Sequence, residues 1–131
     1  MNDKLFESGL EVRKAVLGDE HVERSLGSAD EFDMPLQRFV TECCWGAVWG
    51  REELPRKTRS LLNLAMLAAL NRPHELKIHI AGAIRNGVTK EEMREVFLQV
   101  AAYCGAPAAV DAFRVAKATL TELQTAAEGR G

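Results

Sequence analysis

Arg72, Glu75 and His79 are the residues whose types and spacing best suit chemistry. With Gly82 and Asn86 they recur at intervals of three and four, so a helix places them on one face. A carboxylate at 75 can reach an imidazole at 79, hold its proton and select its tautomer. Gly82, one turn on, removes a side chain where a ligand could approach. The same spacing also fits a solvated Glu–His pair on an exposed helix. As a motif it is weak.

Other residues could support such a pair. Trp45 and Trp49 are four apart and flank Gly46, so they can fill a core, meet a partner or wall a small pocket. Arg51, Arg56, Lys57 and Arg59 crowd the start of a helix, where cations run against the helix dipole and could answer an anion. Tyr103 puts a phenol beside the turn Gly105-Ala-Pro107, where backbone amides opening the next helix could face an oxyanion. His21 and His74 read as surface residues. Cys43, Cys44 and Cys104 form no CxxC motif, and the first two are adjacent, which splays their side chains by about 100° on a helix. All three read as packing residues. The three histidines include no metal-ligand spacing, so no metal is expected.

These residues need helices to hold them. Ala and Leu far outnumber Val, Ile and Thr, and no stretch alternates apolar and polar residues, so the chain reads as all-α. Helices are expected over about 3–17, 19–26, 35–49, 55–70, 73–85, 90–104 and from Gly105-Ala-Pro107 to about Ala126. Pro35, Pro55 and Pro73 open three of them, Asn86-Gly87 stops one, and Thr89-Lys-Glu-Glu92 is a capping box. The expected fold is a compact bundle of about six to seven helices in a single domain, 1–131, with a frayed tail from about 127. Leu61, Leu62, Leu64, Met66, Leu67 and Leu70 wrap much of the fourth helix, which predicts neighbours on several sides and a homo-oligomer.

Composition narrows the function further. The 131 residues are 47% hydrophobic and 27% charged, which excludes a disordered or low-complexity chain. A net charge of -2 gives no overall attraction to nucleic acid or an anionic membrane. The run Leu64-Ala-Met-Leu-Ala-Ala-Leu70 falls far short of the ~20 residues of a membrane span, and the acidic start is no signal peptide. A cytoplasmic, soluble protein is expected.

Taken in order, the segments resemble the 4-carboxymuconolactone decarboxylase family of the alkylhydroperoxidase D-like superfamily. The resemblance runs from Glu11-Val-Arg-Lys-Ala-Val-Leu-Gly-Asp-Glu-His-Val22 through Trp45-Gly-Ala-Val-Trp49 and Leu54-Pro-Arg-Lys-Thr-Arg-Ser60. It is densest over Ala65-Met-Leu-Ala-Ala-Leu-Asn-Arg72, Glu75-Leu-Lys-Ile-His79, Asn86-Gly-Val-Thr89 and Tyr103-Cys-Gly-Ala-Pro-Ala-Ala109. The peroxidases of that superfamily carry CxxCxxxH on the helix that corresponds to the fifth one here. In this chain the two cysteine positions are Arg72 and Glu75, their glutamate on the preceding helix corresponds to Ser60, and only His79 remains. Without the thiol pair there is no disulfide cycle, so the resemblance implies the decarboxylase branch rather than a thiol peroxidase.

The resemblance implies a cofactor-free decarboxylation of a dicarboxylate lactone in aromatic catabolism by a trimer or hexamer. Loss of carbon dioxide pushes electrons into the lactone carbonyl, so the substrate is its own electron sink. His79 would then be the proton donor or oxyanion partner, with Glu75 orienting it. Arg72 and Arg59 would hold carboxylates, Trp45 or Trp49 would wall the leaving group, and Tyr103 would be a further donor. A peroxidase using one of the cysteines, or a non-enzymatic helical module, are the competing readings.

Overall fold

The computed structural model describes residues 2–129, and every regular element among them is helical. The chain divides into two compact units, one ending at Arg56 and one beginning at Lys57.

In the first unit, α1 (Asp3–Leu17), α2 (Asp19–Gly27) and α3 (Met34–Phe39) are followed by a π-helical segment, Val40–Val48. Asn2 caps α1 by accepting from the Leu5 N–H at 3.0 Å, and Gly18, at φ 91, turns the chain into α2. The π segment shows its wider turn where the Trp49 N–H reaches back five residues to the Cys44 carbonyl, at 2.9 Å. The expected third helix, over 35–49, is therefore two different helices end to end. The cause lies in packing. A side chain on Gly9 of α1 would run into the Thr41 carbonyl, and one on Gly46 would lie 2.8 Å from the Leu5 carbonyl. Backbone meets backbone along this crossing.

Arg13 ties α1 to the junction between α3 and the π segment. Its buried Nη1 donates to Gln37 Oε1 at 2.9 Å and to Thr41 Oγ1 at 3.1 Å, while Thr41 Oγ1 donates to the Gln37 carbonyl at 2.7 Å. Burial pushes the Arg13 pKa below its ordinary value, with Cys44 acting weakly in the opposite direction. The hydrogen bonds offset part of the cost of removing that charge from water.

The second unit holds α4 (Arg56–Ala69), α5 (Pro73–Arg85), α6 (Lys90–Cys104) and α7 (Ala106–Gly129). Asn71, at φ 56, ends α4 in a left-handed turn that asparagine tolerates, and the Arg72 N–H closes it on the Leu67 carbonyl at 3.0 Å. Thr89 and Glu92 cap α6 reciprocally: the Thr89 N–H donates to Glu92 Oε1 at 2.9 Å, and the Glu92 N–H to Thr89 Oγ1 at 3.1 Å. Lys57 Nζ, 3.0 Å from Glu92 Oε2, joins the start of α4 to the same cap. Helix α7 packs on both α5 and α6 and offers them the small buried residues Ala109, Ala112 and Ala116. Leu64, Ile80, Met93 and Phe97 fill the core, and Phe97 meets Phe113 edge-on at 5.7 Å.

Several expectations change. Helix α7 continues to Gly129, because its last turns show no glycine or proline to stop them before that point; the remainder of the expected frayed tail, residues 130 and 131, lies outside the described residues. Only part of α4 is covered: Leu64 is buried, Leu61 and Leu67 are partly buried, and Leu62, Met66 and Leu70 stand out as an exposed stripe at intervals of four. His21 is half-buried rather than exposed. Cys44 and Cys104 are exposed, and only Cys43 is partly packed, since Cys44 and Cys104 fall on the outward faces of their helices.

Candidate active site

Helices α4 and α5 face each other through two polar pairs. Asn86 Nδ2 donates to Ser60 Oγ at 2.8 Å, and Asn63 Nδ2 approaches His79 Nδ1 at 3.4 Å. As the position on α4 rises from 60 to 63, its partner on α5 falls from 86 to 79, so the helices run antiparallel. The short turn at 70–72 requires this. Ser60 is buried, and His79, Asn63 and Asn86 are half-buried. Gly82 is also buried and sits on α5 between the two pairs.

Of the expected stripe, Glu75, His79 and Gly82 lie within α5, whereas Arg72 and Asn86 stand just outside its two ends. Arg72 stands at the N-cap position of α5 without a side-chain capping bond, exposed, and its Nη1 donates to the Leu70 carbonyl at 3.4 Å. Glu75 is exposed in the first turn, where a carboxylate complements the helix dipole. His79 is one turn further and less exposed. Arg59 is half-buried next to Ser60 on α4. Trp45 and Trp49 are brought together in the first unit, buried and stacked with ring centroids 4.9 Å apart and planes at 30°. Tyr103, by contrast, is 82% exposed near the end of α6.

Asn63 was not among the residues expected from the sequence. Its signal was available: an amide within Leu61-Leu-Asn-Leu-Ala-Met-Leu67, one turn after Ser60, is costly in an apolar helix unless it has a partner.

Thiol chemistry finds poor support. Partial shielding of the Cys44 sulfur, followed by the adjacent Cys43, raises its pKa, outweighing the opposing effect of Arg13. A raised pKa leaves less thiolate at neutral pH, the reverse of an activated cysteine. Among the described residues no group of three or more His, Cys, Asp or Glu converges as metal ligands would.

An all-helical chain with Arg72 at the N-cap of α5 and Glu75 and His79 within it has counterparts among known proteins. The profile of the Carboxymuconolactone decarboxylase family matches residues 35–118, and the chain belongs to that family. It is 43% identical over 129 residues to the 4-carboxymuconolactone decarboxylase of Acinetobacter baylyi, covering 98% of this chain and 96% of that one. It is 44% identical over 123 residues to nitrosuccinic acid decarboxylase npaB of Metarhizium robertsii, covering 94% and 86% of the two chains. A 4-carboxymuconolactone decarboxylase of Pseudomonas putida matches over 41 residues at 39% identity, 31% of this chain and 85% of that one. Among the described residues no helix is long and apolar enough to cross a membrane.

Proposed function

We propose that this protein decarboxylates 4-carboxymuconolactone to the enol-lactone of β-ketoadipate and needs no cofactor to do so. The observation that carries this reading is a near end-to-end match to a decarboxylase of that name, 98% of this chain, on a fold that keeps His79 half-buried against α4. The bond to the leaving carboxylate breaks, and its electron pair moves through the ring alkene onto the lactone carbonyl oxygen. The resulting dienolate then takes a proton at carbon. His79 meets the developing charge as oxyanion partner or proton donor, and Glu75, exposed one turn away, orients the ring and returns a proton from solvent. Arg72 and Arg59 hold carboxylates. Tyr103 is a further donor.

The match to a nitrosuccinic acid decarboxylase favours a second substrate of the same chemistry. In nitrosuccinate the leaving carboxylate shares its carbon with a nitro group, which can receive the electron pair as a nitronate. Both compounds join one carbon to a leaving carboxylate, an acetate arm and an electron sink. Incubating purified protein with each compound and following carbon dioxide release separates the readings. Faster turnover of the lactone supports the proposal, and release only from nitrosuccinate replaces it. Release from neither compound overturns both.

The exposed stripe of Leu62 and Met66 on α4, continued by Leu70 just past its end, supports assembly with further copies of the chain, as a trimer or hexamer. Light scattering on the eluted protein reads this directly, and a monomer at micromolar concentration would contradict it. We assign the protein to the cytoplasm, as suits a catabolic enzyme.

A further inference from the structure

We infer that Phe32 of one copy of the chain seats in an apolar, cation-rimmed cavity between α6 and α7 of a second copy, so that the chains assemble head to tail. The inference deepens the proposed assembly with further copies and rests on that reading.

The socket is a cavity of about 290 Å³ lined by α6 and α7, with room for one aromatic ring. Met93 and Phe97 from α6, and Phe113, Ala116 and Leu120 from α7, give it an apolar lining at spacings of three and four, one face of each helix. Phe97 and Phe113, meeting edge-on at 5.7 Å, make part of that lining aromatic. Lys90, Arg94 and Lys117 also line the cavity against the single carboxylate of Glu91, on a chain whose net charge is -2. Lys14, Lys57 and Lys77 each meet a carboxylate, whereas among the described residues Lys90 and Lys117 have no such partner. An aromatic ring flanked by carboxylates complements this socket in both shape and charge.

The chain carries such a group. Phe32 is 92% exposed, more than any other large apolar side chain among the described residues. Its neighbours are Asp30, Glu31 and Asp33, with no cation among them. The turn that presents the ring is held by its own hydrogen bonds. The Phe32 N–H donates to Asp30 Oδ1 at 2.9 Å, the Asp30 N–H to Asp33 Oδ1 at 2.8 Å, and the Met34 N–H to the Asp30 carbonyl at 2.9 Å. A backbone fixed in advance lowers the ordering cost of docking. Leu36, four residues on and also exposed, extends the apolar contact. An aromatic side chain that fills a pocket while charges pair at its rim is the usual anatomy of a binding hot spot.

Knob and socket are different residues, so the contact is heterologous. Each copy offers its turn to the next and receives one from the copy before, and such a contact closes as a ring. A ring accords with the proposed trimer, or with a hexamer of two rings.

Light scattering of full-length protein at micromolar concentration, together with spectra of its 13C-labelled methionine methyls, tests the contact. The Met93 methyl is assigned by its loss in Met93→Leu. Phe32→Ala changes a side chain that touches little of its own chain, so folding is preserved. The variant should show a lower mass, with a dissociation constant raised by about thirtyfold or more. The Met93 methyl signal should shift as the neighbouring ring departs. Lys90→Glu combined with Lys117→Glu reverses the rim and should lower the mass likewise. Unchanged mass in either variant overturns the inference, including the case in which the Met93 signal shifts because the ring had seated in its own chain. A lower mass for Phe32→Ala with an unmoved Met93 signal overturns it too, since the ring then docks elsewhere. Failure of the assembly reading looks different: the unsubstituted protein is itself a monomer. If Phe32→Ala keeps its mass while Leu62→Asp loses it, assembly stands and this contact falls.

Discussion

Asn86, the last-turn cap of α5, donates its amide to the buried hydroxyl of Ser60 on α4 at 2.8 Å. That bond makes Ser60 an anchor between the two helices. Ser60→Ala removes the acceptor of this bond between α4 and α5. We expect a loss of about 1–3 kcal/mol in stability, read as a lower urea midpoint with an unchanged slope.

Removing the imidazole tests the reading of α5 itself. His79→Ala should lower kcat for 4-carboxymuconolactone by about a hundredfold or more, with helicity by circular dichroism and assembly by light scattering unchanged. Glu75→Gln should cost at least about tenfold, since a proton must be returned in every cycle. Near-parental turnover in His79→Ala would refute the assignment.

The crossing of α1 and the π segment leaves no room for a methyl group. Gly9→Ala would push a carbon into the Thr41 carbonyl and to 2.8 Å from the Gly46 nitrogen, both of them backbone groups that cannot swing aside. A loss of about 1–3 kcal/mol or more is expected, measured by thermal or denaturant unfolding. Gly27→Ala is the control, because nothing lies within 4 Å of its added carbon.

Acid should weaken the cap of α6 selectively. The Thr89 N–H, followed by Lys57, holds the Glu92 pKa below its ordinary value of 4.5. A carboxylate depressed on folding contributes stability above its unfolded pKa and loses it as pH falls through the folded one. Glu92→Gln keeps an acceptor for the cap and removes the charge. The difference in Tm between parent and variant should therefore be present at neutral pH and close as the pH drops below 4.5. A difference that is constant with pH would contradict the assignment.

Thiol reagents should leave the enzyme working. Because Cys44 titrates above the ordinary thiol range, its alkylation near pH 7 should be slower than that of a free cysteine and accelerate only in more alkaline solution. Loss of turnover in step with fast labelling of Cys44 would revive the peroxidase reading.

Where local chemistry decides the structure, the sequence was a good guide. The bounds of α5 follow from Pro73 and Asn86-Gly87, and those of α6 from the Thr89–Glu92 box and Gly105. The stripe from Arg72 through His79 was equally legible from spacing alone. What escaped depends on contacts between segments distant in the chain. An α-helix and a π-helix need the same apolar residues, and the choice at Val40 turns on how closely Gly9 approaches Thr41. Asn63 escaped for a similar reason: its partner is sixteen residues away and becomes visible only when α4 and α5 are laid side by side.

The π segment also dictates which changes of length the chain can accept. A widened coil holds an extra residue that an ordinary coil would not, so shortening Val40–Val48 by one position would let it relax into regular α geometry. A deletion between Trp45 and Trp49 would leave the two rings three residues apart instead of four, which undoes the spacing on which their stacking rests. Point substitution is negotiable along much of this stretch, whereas the number of residues in it is not.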